Sequence, residues 1–202
     1  IDGKTRFQFR VHSALGNIAL KDGDKQRAVD LLEKAREVSP RAGAGHPPGK
    51  NLHYQLHDLY NELGKEDLAI RRMEDLAEFA VEDPKCRQKI ANYYLKKDGD
   101  DAARKAKQAL EELLFLNPFE RGTHELLART AAKLGEHLTT IREYTYLLKF
   151  PETNPKIAYL ALARAHAAKG DEREAIEYSR KVLNLDAENE EAKGIIEKLG
   201  GK

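Results

Sequence analysis

Histidine and cysteine are the side chains best suited to metal or covalent chemistry, and in this 202-residue chain their spacing limits what they can do. His53 and His57 stand four residues apart, so a helix would turn both toward one metal ion. The stretch reads HYQLH, without the Glu of a zinc-protease HExxH helix, and no third ligand is evident. An isolated pair supplies only two of the usual three or four ligands, so the pair reads as structural. Cys86, the single cysteine, excludes an internal disulfide and a multi-cysteine zinc site, and no glycine-rich or strained turn surrounds it. No serine sits in a nucleophile elbow, and neither a Walker loop nor a GxGxxG fingerprint occurs. No catalytic residue, metal or cofactor is therefore expected.

Charge is more informative. Lys plus Arg number 35 against 34 Asp plus Glu, which leaves no global field to recruit nucleic acid or an anionic membrane. Locally the balance breaks. From Glu62 to Asp83 eight acidic residues stand against three basic ones, and from Lys85 to Ala109 eight basic stand against three acidic. Two readings follow: complementary solvated faces on neighbouring segments, or a surface that selects a charged ligand. No apolar run approaches the roughly 18 residues of a membrane span, so none is expected. The compartment is left open between cytoplasm and periplasm, and the oligomeric state is likewise open.

The elements that must carry these side chains are clearest between Ile157 and Ala187. Two apolar-striped segments meet at Lys169-Gly170-Asp171, with Tyr159, Leu162, Ala163 and His166 on one stripe and Ala175, Ile176, Ser179 and Val182 on the other. This pattern predicts a helical hairpin in which Gly170 ends the first helix and the Asp171 side chain caps the second. Neither helix can bury its stripe alone, so hairpins of the same kind are required as neighbours. Glycines at 23, 64, 99, 135 and 170 mark them, at spacings of 41, 35, 36 and 35. The predicted repeats run over about 9–42, 50–84, 85–120, 121–154 and 156–189, with a capping helix over about 190–199 ended by Gly200-Gly201. The long first spacing falls in Arg41 to Lys50, RAGAGHPPGK, a predicted irregular loop, and the third hairpin fits with two residues inserted in its turn. At the front, Phe7 and Phe9 lack an upstream partner. The chain opens on Ile1 rather than Met, and an excised part of a longer protein is expected.

In the first hairpin Leu15-Gly16 and Ala19 precede the turn, Ala28, Leu32 and Ala35 follow it, and Pro40 ends it. This arrangement resembles the tetratricopeptide repeat. The resemblance covers nearly the whole chain and implies an all-α right-handed α-solenoid of five such hairpins plus the C-terminal capping helix. It implies a non-catalytic protein- or peptide-binding scaffold whose first helices line a concave groove. The groove residues so implied are Asn17, Tyr54, Gln55, Asp58, Asn61, Lys89, Tyr93, Lys96, Lys97, Arg129 and Arg164. Lys89, Lys96, Arg129 and Arg164 are expected on one surface, favouring a ligand segment with acidic residues or a free carboxylate. The clamp by which some members of this family grip the acidic terminus of heat-shock chaperones is not matched: Ser13, Gln55, Cys86 and Ile90 replace its polar and basic residues, and only Asn17 agrees. One alternative is an accessory array of a larger bacterial enzyme such as a peptidase or transferase. A second is an RNA-binding helical repeat, disfavoured by the near-neutral charge and few aromatics; no nucleic acid is expected. Three repeats place a histidine at their fourth position, His12, His53 and His124, which points to a shared packing role.

Overall fold

Segments rich in alanine, leucine and charged helix formers, with no proline beyond the first turn, favour helix. The structure, a computed structural model, describes residues 3–41 and 51–200, which form eleven helices and no strand. These are α1 (Gly3–Lys21), α2 (Lys25–Val38), α3 (Leu52–Glu62), α4 (Glu66–Ala77), α5 (Pro84–Tyr94), α6 (Asp100–Leu116), α7 (Arg121–Lys133), α8 (His137–Leu147), α9 (Pro155–Lys169), α10 (Glu172–Leu185) and α11 (Glu190–Lys198). Of the predicted loop RAGAGHPPGK, all but Arg41 lies outside the described residues, as does Gly201. The residues group into two units, Ile1–Ile90 and Ala91–Lys202, which divide within α5.

In the first unit α1 packs on α2 and α3 on α4, and α2 also meets α3. In the second, α7 packs on α8 and α9 on α10, while α6 meets α7 and α8 meets α9. α11 lies against both α9 and α10. Leu32, Leu56, Met73 and Leu76 are fully enclosed in the first unit, and Leu110, Leu127, Leu147, Leu162 and Val182 in the second. Each removes an aliphatic side chain from water, the dominant favourable contribution to folding.

Four of the five marker glycines end a first helix in the same way. At Gly170 the backbone is left-handed, φ 88°, and the next N–H, from Asp171, closes on the carbonyl of His166 at 2.9 Å. The equivalent closures run from Asp24 to Ala19, Lys65 to Tyr60 and Glu136 to Ala131, each at 2.8–2.9 Å. Gly99 differs. Its φ of 94° and ψ of 158° put it at the N-cap of α6, five residues after α5 has ended at Tyr94. The longer turn accommodates the two inserted residues, and as a result Lys96 and Lys97 stand in the turn rather than on a first helix.

Other local expectations are also corrected. Asp171 occupies the N-cap of α10, yet its side chain makes no cap hydrogen bond. Lys169 Nζ and His166 Nδ1 hold its carboxylate instead, at 2.6 and 3.0 Å. Asp24, in the same place before α2, does accept from the Arg27 N–H at 3.0 Å. Phe9 packs downstream, against the core formed by α1, α2, α3 and α4, while Phe7 is exposed. Of the residues that precede the first turn, Gly16 and Ala19 are buried and Leu15 is exposed.

Candidate functional site

The first unit holds six of the groove residues named from the sequence. Asn17 is exposed on α1, where its amide donates to the Ser13 carbonyl one turn back, at 2.8 Å. On α3, Tyr54 is buried and its hydroxyl donates to the Asp83 carboxylate at 3.0 Å. Burial first, and Asp83 second, push that hydroxyl far above the ordinary tyrosine value. Gln55 is half-buried, while Asp58 and Asn61 are exposed. Asp58 and Asn61 both contact the His57 ring, with Asp58 Oδ1 2.7 Å from Nδ1 and the Asn61 amide 3.2 Å from Nε2. Burial lowers the His57 pKa; the Asp58 hydrogen bond opposes this and Lys89 adds to it. Lys89 Nζ lies 3.8 Å from Asp58, so its charge is already answered by a carboxylate.

The histidine pair does not converge. The ring of fully buried His53 points Nδ1 at the Arg72 carbonyl, 3.2 Å away, and Nε2 at the Pro40 carbonyl, 2.8 Å away. His124, at the same repeat position, places Nε2 2.9 Å from the Pro118 carbonyl and Nδ1 on Glu143. In both cases the ring reaches the proline that follows the preceding second helix, so this position ties one hairpin to the next. No group of three or more His, Cys, Asp or Glu side chains among the described residues is placed to hold a metal ion.

The second unit holds the remaining five. Tyr93 meets Tyr94 edge-on at 5.0 Å, and the Lys97 ammonium sits 4.7 Å over the Tyr93 ring. Lys96 is exposed. Arg129 on α7 and Arg164 on α9 come together around Tyr144 on α8, which is not among the groove residues named from the sequence. Two clefts share Arg129 and Tyr144 as lining. One, of about 380 Å³, is also lined by Arg121, Glu125 and Glu152. The other, of about 430 Å³, adds Arg164, His137, Thr140 and four alanines, with no carboxylate in its wall.

The two arginines are not equivalent. Glu191 on α11 grips the Arg164 guanidinium through both carboxylate oxygens, and Arg121 pairs with Glu125 at 3.2 Å. Arg129 makes no hydrogen bond or ion pair among the described residues. Burial pushes the Tyr144 hydroxyl up and Glu125 adds to this, while Arg129 and Arg164 oppose it, as positive charges near an ionisable hydroxyl must. Tyr144, His137 and Glu191 were missed because they lie on second helices or on the terminal helix. The available signal was the spacing of Tyr144 from the first helices on either side. No helix among the described residues is long and apolar enough to cross a membrane.

The tetratricopeptide repeat family matches residues 157–189. Comparison with the curated proteins found no match. Among solved structures, a MamA structure, MamA AMB-1, superposes with a TM-score of 0.55 at 19% identity, covering 95% of this chain and 98% of that one. YrrB, described as a TPR protein with an unusual peptide-binding site, superposes at 0.54 and 14% identity, covering 92% and 90%. A tetratricopeptide repeat protein from Parabacteroides merdae ATCC 43184 superposes at 0.51 and 15% identity, covering 96% and 74%. Residues 157–189 are thus a tetratricopeptide repeat, and the chain that carries them has the tetratricopeptide-repeat fold of helical hairpins.

Proposed function

We propose that the chain is a non-catalytic protein-binding module whose second unit takes a peptide segment carrying a carboxylate. The supporting observation is the acid-free cleft of about 430 Å³, in which Arg129 has no carboxylate partner among the described residues and alanines leave room for a chain to lie close. A guanidinium binds a carboxylate bidentately, so an acidic side chain or a free C-terminus is the group it favours. Arg164, already answered by Glu191, then shapes the cleft more than it anchors the ligand. The peptide-binding site of YrrB is in keeping with this reading. The working division remains the five predicted hairpins closed by the terminal helix.

The test is a panel of fluorescent peptides ending in Asp or Glu with a free carboxylate, paired with the same peptides amidated and carrying Asn or Gln. The acidic members should bind. Arg129→Glu should abolish binding while helicity and melting stay unchanged, because an exposed, unpaired arginine contributes little to folding. Arg71→Glu, on a second helix of the other unit, should have no effect. Binding that tolerates Arg129→Glu but is lost with Arg71→Glu rules the cleft out.

A further inference from the structure

The two clefts that share Arg129 and Tyr144 are consecutive stretches of one trough in the second unit. Its lining runs on α7 from Arg121 to Ala132 and on α9 from Ile157 to Ala168, with α8, which packs on both, between them. Each wall is therefore roughly 16 Å of helix, a length that about five extended residues cover. Along α8 the order is reversed: Leu147 stands at the Ile157 end, Tyr144 in the middle and His137 at the Ala168 end.

The two ends differ in charge. The Ala168 end has no carboxylate in its wall, and Arg129 enters it unpaired among the described residues. At the Ile157 end Arg121 and Glu125 answer each other at 3.2 Å. This leaves Glu152, exposed in the turn after α8, with no hydrogen bond or ion pair among the described residues. Beside it lie Leu147 and Ile157, the latter 57% exposed. A lysine or arginine lays its hydrocarbon stem on apolar surface and keeps its charged head in reach of a carboxylate, so this end complements a basic side chain as the other complements an acid.

Tyr144 supplies an independent observation between the ends. It is 7% exposed, yet its hydroxyl makes no hydrogen bond among the described residues. Glu125, Arg129 and Arg164 all act on that hydroxyl, which places it within the trough. The buried tyrosines of the first unit differ: Tyr54 and Tyr60 donate to the carboxylates of Asp83 and Glu33, at 3.0 and 2.8 Å. A nearly buried hydroxyl costs free energy until something accepts its hydrogen, and an acid held by Arg129 lies where it can do so.

We infer that the trough selects a bipolar peptide, an extended segment whose carboxylate sits at Arg129 and the Tyr144 hydroxyl and whose basic side chain, about two to four residues away, reaches Glu152. This rests on the reading that the Arg129 cleft takes an acidic segment, and adds to it a second charge and a spacing.

The test uses fluorescent peptides of about eight residues on the full chain, acetylated and amidated, with one Glu among alanines and glycines. Each carries Lys, Gln or Glu three positions before or after that Glu. At low ionic strength, where exposed pairs are least screened, the Lys peptide should bind at least about threefold tighter than the Gln peptide in one of the two orders, and the second Glu should weaken binding. Glu152→Lys should reverse that ranking with helicity unchanged, since Glu152 is exposed and unpaired among the described residues. Tyr144→Phe should weaken the Lys and Gln peptides alike by about threefold or more, with melting unchanged. Equal binding of Lys and Gln peptides in both orders, a Lys preference that survives Glu152→Lys, or indifference to Tyr144→Phe overturns the inference and leaves the acidic reading standing. Failure of every Glu-bearing peptide to bind, or binding that tolerates Arg129→Glu, overturns both.

Discussion

Helices α1 and α9 open the same kind of hairpin, with an aliphatic residue at the seventh repeat position and a small residue at the eighth, but their surroundings differ. In α9 that aliphatic residue, Leu162, is enclosed, and the helix has α8, α10 and α11 as neighbours. In α1 the equivalent Leu15 faces solvent, and α2 is the helix it packs against. The apolar pattern marks which side of a helix wants burial. Whether that side is buried depends on what stands next to it, which is why repeat proteins gain much of their stability from interfaces between neighbouring units.

The largest effect expected from this contrast is on side-chain removal. Leu162→Ala should destabilise by about 2–5 kcal/mol, the range for emptying an enclosed aliphatic site, and Leu15→Ala by under about 1 kcal/mol because little area returns to water. Urea midpoints of the two variants measure it, and equal losses would break the comparison.

Overpacking at the helix crossings comes next. A Cβ on Gly16 would lie 2.8 Å from Leu32 Cδ2 and Cγ, and Ala128 and Ala163 are fully buried at the matching positions. Gly16→Ala, Ala128→Leu and Ala163→Leu should each cost about 1–3 kcal/mol. Here the three hairpins should agree, since this crossing lies inside each hairpin. Unchanged midpoints for all three would place the crossings elsewhere.

The smallest effects separate the two turns. Asp24→Ala removes a real cap and should cost about 1 kcal/mol with little salt dependence. Asp171→Asn loses contacts to Lys169 and His166, so its smaller effect should shrink in high salt. Its carboxyl is held below the ordinary value, by Lys169 first and His166 next. A depressed acid stabilises above its unfolded pKa, so the contribution is present at neutral pH and fades as pH falls below about 4 through the folded value. Thermal melts from pH 7 to pH 3 should show wild type converging on Asp171→Asn. A constant gap would show that the carboxylate does no such work.

Hairpin identity was legible because it rests on local physics. Glycines at 23, 64, 135 and 170 adopt the left-handed backbone their spacing implied, and the stripe of Leu162, Ala163 and His166 is buried as read. Side-chain partnerships were less legible. Asp171 had the right position and type for a cap, but Lys169 and His166, two and five residues back, compete for its oxygens. Gly99 had the right type at the wrong distance, since the inserted residues moved the end of α5 away from it. Of the arginines named from the first helices, Arg164 is answered by Glu191, which lies 27 residues further along.

By itself the sequence determined the helices, their turns and their apolar sides, because each depends on residues within a few positions of one another: glycine for φ above zero, alanine and leucine at helical period, an asparagine or aspartate before a first turn. Only the tertiary structure decided which charges remain unanswered and which apolar sides remain open. Among the described residues Arg129 is unpaired while Arg164 is not, and Leu15 is exposed while Leu162 is not, because pairing and burial depend on what reaches a side chain through space from distant parts of the chain.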